Sequence, residues 1–379
     1  MQPLRSFVAR PVAVALAIAC FYVGWSSWYV GHHPVVSLAH VSLKFSRQSH
    51  ASAAISRLPA RPEDGSGYDG QFYLYIALDP IHARGYLDVP AYRYSRPVYP
   101  LAARALALGR NGAVPWTLLL LGIAGVVAAT YAVAKLFEHR GAPIWYAALL
   151  GVYPGLLIAV SWDLAEAMAY GLAALGLLAF ELEGRRRVLF AGALFGLAGA
   201  TRESTLLFPV ALALALAWQS QRRREAVELL VASFAPYLAV KIGLAVWLHS
   251  GGAARATQFE LLPFLGLVRQ WSWSDRPIQE LSTVVLPALG AVVVAWRAYR
   301  RVSPEFLALL LNVLALVVFL PKPSYFEYVA SGRITTGVVL AFMLCLPRVL
   351  AEHREAEAWP LFVLWLMPLY EFLPAVLHG

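Results

Sequence analysis

The chain's most chemically suggestive stretch is Gly67-Tyr68-Asp69-Gly70-Gln71-Phe72-Tyr73-Leu74-Tyr75-Ile76-Ala77-Leu78-Asp79-Pro80. Gly65 and Gly67 free the backbone before Asp69, no proline interrupts until Pro80, and a short helix is predicted between them. Asp69 falls at its N-cap, where a carboxylate meets free N–H groups and the positive end of the helix dipole. Phe72, Ile76 and Asp79 share one face of that helix; Gln71, Leu74 and Tyr75 share another. An acid held at a helix start and walled by Tyr68, Phe72, Tyr73 and Tyr75 suits recognition of a sugar. The same spacing also fits an ordinary N-cap on a helix lying flat in a membrane interface, where Tyr is common.

The elements that must position this acid are overwhelmingly apolar. Hydrophobic residues make up 60% of the 379 residues and charged ones 14%, with a mean hydropathy of +0.61. Such a composition describes an all-α polytopic membrane protein. The net charge of +9 then reports topology rather than nucleic-acid binding. Cys20 and Cys345 both fall in apolar segments, so no disulfide or metal framework is implied. Walker, GxGxxG, HExxH and CxxC patterns are missing, which removes ATP-driven transport and the common metal hydrolases. Arg5 and Arg10 ahead of an apolar run resemble a signal peptide, and Ala17-Ile18-Ala19-Cys20 a lipoprotein site. The run continues to about Val30, and an uncleaved first helix is expected.

Eleven spans are predicted. The first is Pro11–Val30, followed by a long loop, His32 to Gly112, that carries the Asp69 stretch and short interfacial helices. Ala113–Phe137, Ala142–Val160, Leu164–Leu182, Val188–Ala200, Thr205–Trp218 and Ala226–His249 come next. A second polar loop, Ser250 to Glu280, precedes Leu281–Trp296, Pro304–Leu320, Ile334–Leu350 and Trp359–Leu377. Residues 1–250 read as one module and 251–379 as a second, variable one. One side of the membrane collects Arg5/Arg10, Arg140, Arg185-Arg186-Arg187, Arg222-Arg223-Arg224, Arg297/Arg300/Arg301 and Arg348/Arg354. By the positive-inside rule that side is cytoplasmic, which leaves the N-terminus inside and the Asp69 loop outside.

The short fifth and sixth spans carry an inference. About 13 apolar residues give ~20 Å of helix against a ~30 Å hydrocarbon core, so Thr201-Arg202-Glu203-Ser204 lies below the outer surface. A charge at that depth faces protein or a water-filled cavity. Arg202 either pairs locally with Glu203 or meets a lipid phosphate. Asp163 and Glu166 lie three residues apart on one helical face. Lys241, deep in the seventh span, pairs with one of those acids or forms a second phosphate contact. Arg333 follows Tyr325-Phe326-Glu327-Tyr328 and reaches phosphate or snorkels to headgroups. In the first loop Tyr92-Arg93-Tyr94-Ser95-Arg96 interleaves rings with guanidinium forks, a pattern for sugar stacking and phosphate contact or for an interfacial belt.

Together these motifs resemble a family. Tyr68-Asp69-Gly70-Gln71-Phe72-Tyr73, Ala77-Leu78-Asp79-Pro80 and Tyr92-Arg93-Tyr94…Tyr99-Pro100-Leu101 resemble the first-loop signature of bacterial polytopic glycosyltransferases of fold type C. A looser similarity links them to the GPI mannosyltransferases. Ala200-Thr201-Arg202-Glu203-Ser204 resembles the Thr-Arg turn of that group, and Tyr153-Pro154 to Glu166 its third-to-fourth span hairpin. The resemblance covers roughly the first 220 residues. It implies an inverting enzyme of the cell envelope in the bacterial inner membrane, with a polyprenyl-phosphate-sugar donor and a lipid, glycan or protein acceptor. It implies Asp69 as the base; Arg202, Arg333, Lys241, Arg93 and Arg96 on the donor phosphate; and Tyr68, Gln71, Tyr73, Asp79, Asp163 and Glu166 around the substrates. The acids Asp69 and Asp79 depart from the family's adjacent acidic pair, which leaves open whether they hold a divalent cation (Mg or Mn). A transporter or flippase of lipid-linked sugars or small solutes is the alternative. It accounts for the spans and buried charges, but less well for the long loop and for acids gathered on one face.

Overall fold

The structure, a computed structural model, describes residues 10–60, 65–182, 184, 186–249, 260–271, 275–325, 328–358 and 362–366. Among these residues every regular element is helical. The chain opens with α1 (Pro11–His32). Residues 33–60 and 65–113 then fold into a cap of short helices, of which α2 (Gly70–Leu78) and α3 (Val98–Leu106) are the longest. There follow α4 (Val114–His139), α5 (Ala147–Gly151), α6 (Pro154–Ser161), α7 (Glu166–Glu181) and α8 (Arg187–Thr201). The remainder comprises α9 (Leu207–Trp218), α10 (Arg223–Leu248), α11 (Leu286–Tyr299), α12 (Pro304–Val313), α13 (Tyr328–Ile334) and α14 (Thr336–Ala351).

Proline sets several of these boundaries. Pro115, Pro154, Pro287 and Pro304 occupy the first turns of α4, α6, α11 and α12, where a missing N–H costs nothing. Pro154 also pushes Tyr153 to extended backbone, which breaks α5 from α6 at a 47° bend. Ser303 caps α12 by accepting from the Phe306 N–H.

Among the described residues four helices are long and apolar enough to cross a membrane, and the bent α5–α6 pair makes a fifth if taken as one crossing. The fourth, fifth, sixth, ninth and tenth predicted spans instead fall on shorter elements, among them Arg187–Thr201, Glu203–Trp218, Pro304–Val318 and Thr336–Ala351. At ~1.5 Å per residue, 16 residues reach only ~24 Å, short of a ~30 Å hydrocarbon core. Among the described residues, four or five of the eleven predicted spans therefore have full crossing length. Most of the predicted eleventh span (Trp359–Leu377), residues 250–259 and 272–274 of the second polar loop, and Phe326 and Glu327 lie outside the described residues.

In the bundle α7 lies between α4 and α8, α8 packs on α10, and α9 packs on both α10 and α12. α14 is buried almost all round, from Thr336 to Pro347. α10 is its opposite, with only 11% of its apolar window buried, so an apolar surface faces outward.

The cap is a packed body rather than a loose loop. Every residue of α2 is buried, so this helix is the centre of the cap and not a helix lying flat on an interface. Gln71 explains part of this: its Oε1 accepts from the Ser42 N–H, the Ser42 hydroxyl and the Tyr75 hydroxyl at 3.0–3.1 Å. At the far end Arg104 donates to the carbonyls of Ala77 and Leu78, which have no partner within the helix.

Candidate functional site

Two glycines bring the site together. Gly70 opens α2 against the turn after α6, and a Cβ there would lie 2.2 Å from the Trp162 carbonyl oxygen. Gly155 lets α6 approach α13, where a Cβ would lie 2.3 Å from the Gly332 carbonyl oxygen. The Tyr153 hydroxyl donates to that same carbonyl at 2.8 Å. Asp69 therefore abuts the turn leading to Glu166, and Arg333 is set beside both. Backbone approaches this close admit no side chain.

Asp69 precedes the first turn of α2, as expected, but its carboxylate makes no capping bond. It turns away to two arginines. Oδ1 accepts from Arg93 Nη1 at 2.7 Å and Oδ2 from Arg333 Nη2 at 2.6 Å. Arg333 Nη1 donates in turn to Glu166 Oε1 at 3.0 Å, and Arg202 Nη1 lies 2.8 Å from that same oxygen. Arg93 is also gripped from behind by both oxygens of Asp88 at 2.7 Å. The result is an alternating row: Asp88, Arg93, Asp69, Arg333, Glu166, Arg202. Beside it Arg96 holds Glu203 with two bonds of 2.9 and 2.6 Å, a fork-to-fork pair.

Aromatic faces fix the guanidiniums further. Arg93 lies over Phe72 at 4.2 Å, Arg96 over Tyr92 at 4.5 Å and Arg333 over Tyr68 at 5.1 Å. Burial alone would raise the Asp69 carboxyl, but the Arg333 and Arg93 guanidiniums outweigh it and hold it well below the usual carboxylate range. Not every donor in the row is used. Arg202 Nη1 approaches Glu166 without hydrogen-bond alignment, and Arg333 Nε has no partner. Glu166, fully buried, likewise leaves Oε2 without a hydrogen-bond donor.

These groups face a cavity of about 610 Å³. One half is polar, with Asp69, Arg93, Arg96, Arg202, Glu203 and Arg333. The other is aliphatic and aromatic, built from Leu207 and Val210 of α9, Phe234 of α10, Leu316 and Leu320 after α12, and Ile334 of α13. Its size and mixed lining are those of a ligand site.

Of the predicted site residues, Asp69, Tyr68, Gln71, Arg93, Arg96, Arg202 and Arg333 line this cavity. Others do not. Asp79 lies one helix length from Asp69, roughly 15 Å along the axis, and accepts from the His82 N–H and ring. That distance, and the two guanidiniums already on Asp69, do not fit a cation shared by Asp69 and Asp79. Tyr73 packs edge-on against Tyr99 behind the site. Asp163 is fully buried in the turn joining α6 to α7, at φ +50°. Lys241 sits over the Tyr237 ring at 5.4 Å and outside the cavity. Glu166 stands behind the wall, holding Arg202 and Arg333. The local Arg202–Glu203 pair weighed from the sequence is replaced by two long-range ones, Arg202–Glu166 and Arg96–Glu203. Asp88 and the apolar lining carried no sequence assignment. Asp88 did have a signal, an acid five residues before Arg93.

Compared with protein-family models, curated proteins and solved structures, the chain matches none. The site must be read from its own geometry.

Proposed function

We propose that this chain is an inverting glycosyltransferase of an envelope membrane, taking a sugar from a polyprenyl-phosphate-linked donor to an acceptor hydroxyl. In this reading it lies in the bacterial inner membrane with the N-terminus cytoplasmic and the cap outside, and its shorter helices complete eleven crossings. One observation carries the reading: a single cavity runs from a carboxylate held between arginines onto aliphatic side chains of the helical bundle. A phosphate joined to a sugar on one side and an isoprenoid chain on the other has that same succession of polarity.

The residues divide the chemistry. Arg202 and Arg333 carry unfilled donors and take the phosphate oxygens. The aliphatic half takes the first isoprenoid units. Tyr68 and Phe72 offer ring faces to the sugar. The acceptor oxygen attacks the anomeric carbon as the bond from that carbon to the phosphate oxygen breaks. The acceptor proton passes to Asp69, and the phosphate departs with an added negative charge beside fixed guanidiniums. Attack from the face opposite the leaving group inverts the anomeric centre. The acceptor is a lipid, a glycan or a protein.

The test is transfer from a panel of radiolabelled polyprenyl-phosphate monosaccharides by purified protein, wild type against Asp69→Asn. Consumption of one donor by wild type alone is expected. Equal consumption by both proteins removes Asp69 as the base. Movement of an intact donor across a vesicle membrane without transfer identifies a flippase instead.

A further inference from the structure

The row of charges has a consequence for the order of events. Glu166, Glu203, Asp69 and Asp88 balance Arg93, Arg96, Arg202 and Arg333. An anion arriving in the cavity therefore disturbs a neutral set, and one carboxylate must give up its guanidinium. The partners decide which. Arg93 keeps two bonds to Asp88 and the Phe72 face if Asp69 leaves. Arg333 keeps Glu166 and the Tyr68 face. Glu166 cannot leave, because it is fully buried behind the cavity wall, whereas Asp69 is 18% exposed and lines the cavity. Of the two carboxylates on Arg333, Asp69 is thus the exchangeable one, and the arginines are the fixed frame.

We propose that the resting protein holds Asp69 locked between Arg93 and Arg333, and that the phosphate of a polyprenyl phosphate takes its place on Arg333, with Arg202 beside it, releasing the carboxylate from Arg333 to act as a base. This rests on the glycosyltransferase reading and adds a regulation to it. A carboxylate with both oxygens on guanidiniums is a poor proton acceptor, so the acceptor hydroxyl is not activated until the donor is seated. Donor binding must then precede productive acceptor binding. The groups around Asp69 from every side are Arg93 and Tyr68 of the cap, Tyr73 of α2, Arg333 of α13, Glu166 of α7 and Arg202 beside α8. Only the phosphate changes on binding.

The experiment titrates the Asp69 carboxyl by infrared difference spectroscopy in wild-type protein carrying carbon-13 aspartate, with the band assigned by its loss in Asp69→Asn. Unsugared polyprenyl phosphate is the probe, its binding followed separately by calorimetry. The lipid phosphate is expected to move the Asp69 midpoint upward by at least about one pH unit, a tenfold gain in proton affinity. Inorganic phosphate at equal concentration is expected to leave it in place, since it lacks the chain that fills the apolar half. Lipid binding without an upward shift overturns the release while leaving the glycosyltransferase reading standing. Failure of the lipid to bind overturns both. An equal shift with inorganic phosphate overturns the assignment to a lipid-linked ligand.

Discussion

Two of the arginine–carboxylate clusters in this molecule are built differently. In the first, just past the C-terminus of α4, Arg140 bonds Glu181 of α7, lies 3.1 Å from Glu305 of α12 and donates to the Leu344 carbonyl of α14 at 2.9 Å. It ties four helices together, and none of its atoms is among the buried polar groups left without a partner. The cavity beside it is about 320 Å³. In the second, around Asp69, the cavity is nearly twice as large and two guanidiniums keep donors unused. Similar chemistry thus stands in two settings: the Arg140 cluster leaves no buried polar atom without a partner, and the Asp69 cluster leaves Glu166 Oε2, Arg202 Nη1 and Arg333 Nε so.

Removing one arginine from each cluster separates these roles. Arg140→Ala leaves Glu181 and Glu305 without their half-buried partner, at an expected cost of about 1.5–3 kcal/mol of stability. Thermal melts in detergent should show a fall in midpoint, while the surviving folded fraction keeps its turnover within a few-fold. Arg202→Ala should do the reverse. Glu166 retains Arg333, so the melting midpoint moves little, but a cation is missing where negative charge develops. Transfer should drop by about 10²–10³, or roughly 3–4 kcal/mol of barrier. If Arg202→Ala unfolds the protein and Arg140→Ala stops transfer, the two clusters have been assigned the wrong way round.

The sequence made some of this visible and hid the rest for identifiable reasons. The cap helix was legible because Gly67 and Pro80 bound it, and the buried position of Arg202 because two short apolar runs flank it. The partner of Arg202 was not legible. Glu203 is its neighbour in the chain, yet the extended backbone at Arg202 sends the two side chains to different partners. Asp69 was placed at the helix start, but the capping rule gave its side chain the wrong partners. Backbone N–H groups were outcompeted by two guanidiniums, one of them 264 residues away. Lys241 and Asp163 carried charge in apolar surroundings, which is a signal for a site only when the fold turns it toward a cavity. Hydropathy reports that a run is apolar and not where its helix begins and ends, so among the described residues four of the predicted spans, or five with the bent pair, lie on helices of full crossing length.

A smaller effect tests how finely the second cluster is set. Gly70→Ala forces a methyl group against the Trp162 carbonyl oxygen, and overpacking of that kind costs about 1–3 kcal/mol. Because Asp69 is the adjacent residue, transfer should fall by about tenfold or more while donor binding changes less. A Gly70→Ala enzyme with full activity would show that the approach of α2 to the Trp162 turn is not what sets Asp69.

The smallest expected effect is an absence of change with pH. The two arginines hold the Asp69 carboxyl below its ordinary value of about 3.9. A depressed carboxylate contributes stability that is complete above the ordinary value and is lost progressively as pH falls from the ordinary value to the depressed one. The difference in melting midpoint between wild type and Asp69→Asn should therefore stay level from about pH 7 to about pH 5. A gap that also stays level below about pH 4 would mean that Asp69 titrates as an ordinary carboxyl in the resting protein. The lock would then be loose before any ligand arrives, and the contrast between a saturated staple and a poised site would have to rest on Arg202 alone.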